Sequence, residues 1–243
     1  MARKQIIFTF IALLIVCSQS GNVNGQTSDP GPNNFFYQYF PLVSVPSPYS
    51  LYVKSYSEYI EGTNHYVVGE LINQTNTMVY NAGVTVEIKG PNLESSYRTI
   101  RTFIRCINPH QTSPFKVVFA GFVEPAKVSH ISWSYMVVPE YPPCQTAQVE
   151  SQNYTDHYGT FFTICVSNIN PKPMYGLTIV ITLYDSSGKV VGVEKDAFPT
   201  YFPPNNKDIG CPIESIFTPF RADQFSSFSA QAEGFTSEGN TFP

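Results

Sequence analysis

Residues 66–88, YVVGELINQTNTMVYNAGVTVEI, hold two apolar runs around an Asn-rich turn. In the second run Ala82, Val84, Val86 and Ile88 alternate with Gly83, Thr85 and Glu87. A strict period of two puts one set on each face of a pleated strand, so this run reads as a half-buried β-strand. The first run, Tyr66 to Ile72, is too short for a helix and is rich in β-branched residues, as strands are. Asn73, Asn76 and Thr77 between them are turn formers. The stretch is predicted as strand, turn, strand.

The pattern returns in the second half of the chain. Residues 161–183, FFTICVSNINPKPMYGLTIVITL, place Asn168 where Asn73 stands, and Ile179, Ile181 and Leu183 where Val84, Val86 and Ile88 stand. A second echo sets Cys106 with Ser113-Pro114-Phe115 against Cys211 with Thr218-Pro219-Phe220. Two markers in the same order predict tandem copies of one domain.

Length and composition agree with that reading. The 243 residues suit one or two domains, and 15% aromatics with 20 prolines and only 13% charged residues suit turn-rich β structure rather than a disordered chain. A formal charge of −4 excludes a strong electrostatic pull on nucleic acid. At the start, Arg3 and Lys4 precede the apolar run Ile6 to Val16, and Val23-Asn24-Gly25 offers a cleavage site. The run falls short of the roughly 18 apolar residues that span a bilayer. Residues 1–25 are therefore expected to be a signal peptide, and the protein secreted, with no membrane span after cleavage. Cys17 follows Val16, which is too large for a lipid-attachment box.

Residues 26–48 form an arm rich in proline and aromatics, with Pro30, Pro32, Pro41, Pro46 and Pro48 around the run Phe35 to Phe40. Proline denies it a central strand. It reads as a segment laid across the first domain, or as an exposed patch that meets a partner. Domain one is expected at 49–139, with strands at 50–60, 65–73, 79–89, 96–105, 114–120 and 128–138. Domain two is expected at 144–236, with strands at 145–152, 159–167, 176–185, 189–198, 214–220 and 225–235. The fold class is all-β: two tandem antiparallel immunoglobulin-like β-sandwich domains after a signal peptide and an arm.

Gly69-Glu70, Asn73 and Ser113-Pro114-Phe115 in the first half, and Ile181-Thr182-Leu183-Tyr184-Asp185 in the second, make a pattern that resembles the FxLYC-type domains, small extracellular β-sandwiches. Lys89 stands where the first copy would carry the motif tyrosine. The resemblance spans roughly residues 50–235 and implies a fold; it brings no settled activity with it.

The remaining cysteines, Cys106, Cys144, Cys165 and Cys211, are even in number and lack the spacing of a zinc site, so disulfides are expected. Alternating strand directions gather all four near the junction of the halves. They favour Cys165–Cys211 with Cys106–Cys144. A hairpin centred at Tyr154-Thr155 would instead set Cys144 against Cys165 and leave Cys106 to Cys211.

Chemistry-bearing patterns are sparse. His65, His110, His130 and His157 are scattered, Pro109 separates Cys106 from His110, and Ser186 to Lys189 lies in a hairpin turn. Glu194, Asp196 and Asp208 lack the run of a calcium loop. No catalytic residue, metal or cofactor is assigned. Trp133 is expected in the core of a last strand; the alternative, a sugar-stacking platform, is weakened because His130 and Ser132 lie on the opposite face and cannot help. Asn73 and Asn153 head glycosylation sequons in predicted turns. The loop 199–213 is the favoured partner contact. The function expected is a secreted, non-catalytic recognition or scaffold protein whose partner is an extracellular protein or glycan. The alternatives are a structural subunit of a surface assembly and an enzyme whose site leaves no pattern.

Overall fold

The computed structural model describes residues 51–92, 94–121, 126–137, 144–155, 158–206 and 214–236. The signal peptide, the arm, Cys17, His157, Asp208 and Cys211 lie outside these residues. The described residues form strands and turns with no helix, and all belong to one compact unit, Ser44–Pro243.

In the first half the strands are β1 (Leu51–Glu61), β2 (Asn64–Asn73), β3 (Val79–Lys89), β4 (Ser95–Arg101), β5 (Cys106–Ile107), β6 (Thr112–Ala120) and β7 (Lys127–Val137). One sheet runs β1-β2-β6, and in a second sheet β3 pairs with β4, β5 and β7. The second half continues with β8 (Cys144–Thr155), β9 (Thr160–Ser167), β10 (Met174–Tyr184), β11 (Val190–Phe202), β12 (Glu214–Thr218) and β13 (Ser227–Phe235). There β8-β9-β12 and β11-β10-β13 repeat the two pairing orders of the first half, joined through β8. All of these pairings are antiparallel.

Each half has its own apolar cluster. Leu71 and Phe115 meet Val84, Val86 and Ile88 in the first. Phe162 and Ile164 meet Ile179, Ile181 and Leu183 in the second. Full burial of one such side chain stabilises by about 1.5–3 kcal/mol. A third cluster, Val68, Ile104, Val180, Val190 and Val193, lies where the halves meet. It explains two strands that defy a simple period. β2 buries Val67 and Leu71 in the first cluster but Val68 in the third, and β10 buries Ile179 in the second but Val180 in the third. With both faces covered, neither strand alternates. β3 has one face toward solvent and keeps its period of two.

The aligned asparagines take the same position in both halves. Asn73 is buried, and its Nδ2 donates to the carbonyls of Thr77 (2.8 Å) and Ile107 (2.9 Å) while its Oδ1 accepts from the Thr75 N–H. Asn168 is buried too; its Nδ2 donates to Lys172 (3.0 Å), Phe202 (3.3 Å) and Pro203 (3.0 Å), and its Oδ1 accepts from the Asn170 N–H. Each side chain substitutes for backbone partners that the turn after the strand has lost.

Other expectations need correction. The Ser113 and Thr218 triplets are not equivalent. Val67 pairs with Val117 as Phe162 pairs with Ile216, so Ile216 takes the place of Val117. Thr218, opposite Thr160, takes the place of Phe119, opposite His65. The strand expected at 96–105 ends at Arg101. Thr102 still donates its N–H to the Ala82 carbonyl, but Phe103 donates to Pro114, because the chain crosses from β3 toward β6 to bury Ile104. The first residues of the expected loop 199–213 belong to β11, where Phe202 is buried; 207–213 lie outside the described residues.

Replacing Asn168 with Ala orphans three carbonyls, and replacing it with Asp keeps the shape but removes the donors. Each substitution is expected to lower the unfolding free energy by about 3 kcal/mol, read from the denaturant midpoint. A loss within about 0.5 kcal/mol for the Asp variant would contradict this role.

Candidate functional site

The two halves differ at one edge. In the second half β8 pairs with β13 over Cys144 to Ala147 and then with β9 from Gln148 to Thr155, so it closes the side between the two sheets. In the first half, among the described residues, β1 stays with β2 along its whole length, and β7 pairs only with β3. Among the described residues no strand covers the side between β1 and β7. A groove of about 760 Å³ fills it, lined by Tyr52 to Glu58 of β1, by Val128 to Ile131 and Trp133 of β7, and by Lys189 from the β10–β11 turn.

One end of the groove is clipped. Glu58 Oε2 accepts the Val128 backbone N–H at 3.0 Å and lies 3.1 Å from Nε2 of the buried His65, tying β1 to the start of β7. Along the groove three rings stay partly bare: Tyr52 is 42% exposed, Tyr56 36% and Trp133 36%. Trp133 is thus a rim residue and not the core plug expected from its strand. Its neighbours on that face, Ile131 and Tyr135, do pack on the apolar cluster. His130 lines the groove as well, because the groove follows the open edge of β7, which both faces border. Nothing in the alternation of β7 could have indicated this, since an edge is set by which strand is missing beside it.

Both open edges are irregular. The register of β1 slips between Val53 and Ser55, leaving Lys54 as an extra residue, and that of β7 slips between Val128 and His130, leaving Ser129 extra. Bulges of this kind disrupt the ladder that an added strand would need. On the other face of β1, Ser55 Oγ accepts the Val190 N–H and Ser57 Oγ donates to the Val190 carbonyl, which brings the Lys189 turn to the groove.

The second chemical cluster lies at the junction. Cys106 and Cys144 form a disulfide. Cys165 is also disulfide-bonded. It stands opposite Glu150, while Cys144 stands opposite Phe235, so the β8–β9 hairpin does not set Cys144 against Cys165. Beside the Cys106–Cys144 bridge lies Glu233, fully buried. Its two oxygens accept the backbone N–H groups of Arg105 (2.8 Å) and Cys106 (2.7 Å). Both sulfurs are consumed by the bridge, so the sulfur–carboxylate cluster offers a metal one carboxylate and no thiolate. The bridge likewise removes any thiolate from His110. Glu194 is held by Lys116 at 2.9 Å and Thr218 at 3.3 Å, a pairing across the halves and not a calcium loop.

The sequons separate clearly. Asn153 is exposed on β8. Asn73, expected in an accessible turn, is buried with its amide committed to two carbonyls; a glycan there would take one of the two N–H donors. Comparison with models of known protein families and with curated proteins finds no match for this chain.

Burial pushes the Glu233 carboxyl up from its ordinary value of 4.5 to about 7, against the pull of the Cys106 and Arg105 N–H donors and the Arg105 charge. An acid raised in the folded state favours folding while the unfolded chain's carboxyl is protonated, and that contribution fades as pH climbs to 7. The stability of the native protein relative to Glu233→Gln, which cannot titrate, is therefore expected to fall between pH 4.5 and 7, by about 3 kcal/mol at most. A difference that stays flat across this range in denaturant titrations would contradict the assignment.

Proposed function

We propose that the protein is a secreted, non-catalytic recognition or scaffold protein built from two immunoglobulin-like β-sandwich modules, similar to FxLYC-type domains, that presents the β1–β7 groove to an extracellular partner. The observation that carries this reading is the asymmetry between the halves. The same pairing orders occur twice, yet among the described residues only the first half leaves its edge open, and there the rings of Tyr52, Tyr56 and Trp133 are partly exposed. Rings with a polar tip and exposed apolar surface mark contact sites more often than they serve stability. Several groups that could do chemistry are engaged in holding the fold: Cys106 in a bridge, Glu233 on backbone N–H groups, Glu194 on Lys116, and Glu58 on Val128 and His65. Asn153 is the sequon asparagine with an exposed side chain, so it would carry the glycan.

Expression of the full chain in eukaryotic cells tests this. The protein is expected in the medium as a monomer with one glycan, which Asn153→Gln removes. Retention in the cell contradicts secretion. Concentration-dependent assembly that disappears on deleting 26–48 assigns the protein to a structural lattice instead.

A further inference from the structure

We infer that the β1–β7 groove is an oligosaccharide-binding site that holds an uncharged sugar chain lengthwise against Tyr52, Tyr56 and Trp133. This rests on the recognition reading above and specifies the ligand class.

Shape comes first. The groove runs beside seven consecutive residues of β1, about 20 Å of extended strand, and its 760 Å³ lies within the usual size of ligand sites. It is open along its length, which suits a chain better than a compact metabolite.

The walls then choose between chain types. An extended peptide would bind by adding a strand, which requires evenly spaced N–H and C=O groups on an edge. Lys54 on β1 and Ser129 on β7 interrupt that spacing on both edges. The side chains must then do the work, and they are three half-bare rings separated by polar heads. A pyranose ring has an apolar C–H face and a rim of hydroxyls, so it can stack on a tyrosine or indole face while its hydroxyls reach the polar groups between. His130 and Lys189 line the groove and provide such groups.

Charge argues for a neutral chain. Lys54 is engaged by Glu70 at 3.3 Å, and Glu58 is engaged by the Val128 N–H and His65. With Lys54 and Glu58 both paired, Lys189 and His130 add too little charge to favour a polyanion. Nucleic acid is disfavoured as well by the overall charge of −4.

The sequence contains one tryptophan, and it lines this groove. Its emission therefore reports occupancy directly. The full chain is titrated with neutral oligosaccharides (β-linked glucans, mannans, xylans and chitin fragments), following Trp133 fluorescence and, in parallel, calorimetric heat. Saturable binding is expected for at least one linkage class, weakened about tenfold or more in Tyr56→Ala. Trp133→Phe, which keeps a ring but loses the indole face, is expected to weaken it less than Trp133→Ala. Melting curves of the variants identify any that fail to fold, and Tyr52→Ala serves in place of such a variant. Absence of saturable emission or heat change with every sugar overturns the inference. If extended peptides bind instead and Tyr56→Ala abolishes that binding, the sugar assignment falls and the recognition reading stands. If deletion of 26–48 alone changes Trp133 emission and sugars do not, the groove belongs to the chain's own arm and both readings fall.

Discussion

A single carboxylate, Glu233, holds the end of the first half against the last strand of the second. Its two oxygens take the adjacent N–H groups of Arg105 and Cys106, at the point where the chain has left β4 and enters β5. A buried carboxylate is costly unless its lone pairs are occupied, and buried N–H groups are costly unless they find an acceptor. Each group offsets part of the other's penalty, and the raised Glu233 carboxyl records the part that remains. The Cys106–Cys144 bridge covalently joins the same part of the first half to β8, the strand paired with β13 there. A second carboxylate, Glu70, repeats the arrangement on the other side of the junction, accepting from Thr112 (3.1 Å), Lys54 (3.3 Å) and the Tyr184 hydroxyl (2.6 Å). Burial and Glu70 raise the Tyr184 phenol above its ordinary value, so it remains a donor.

From this junction the groove follows. The outer face of β1 is occupied by the second half, through Ser55 and Ser57 on Val190 and through Tyr59 beside the third apolar cluster. What remains open of β1 is its edge, and β7 supplies the facing wall. The second half also contributes Lys189 directly. Two β halves with the same pairing orders thus play different parts. One is sealed along that edge by β8, and the other is left with an open side that its neighbour helps to shape.

The parts legible in the sequence are those set by local period. β3 declared itself through Val84, Val86 and Ile88, and Asn73 and Asn168 marked the same turn in both halves because each terminates a strand in the same way. β2 and β10 were harder, since Val68 and Val180 turn away from their own cluster toward the junction and erase the alternation. The triplets at Ser113 and Thr218 look alike yet sit at opposite ends of their strands, a matter of register that three residues cannot encode. Trp133 was misplaced for a similar reason: alternation assigns a face, whereas exposure here depends on the absence of a neighbouring strand. Asn73 has the composition of a glycosylated turn, but its amide folds back on the chain. Glu233 gave no signal and Glu70 only its place in a short motif, because each is a lone acid whose partners lie far off in sequence.

If the junction fuses the halves as argued, they cannot unfold separately. Scanning calorimetry of the oxidised, full-length protein tests this most directly. The account predicts one transition whose calorimetric and van't Hoff enthalpies agree. Two resolved transitions, each carrying part of the heat, would contradict it.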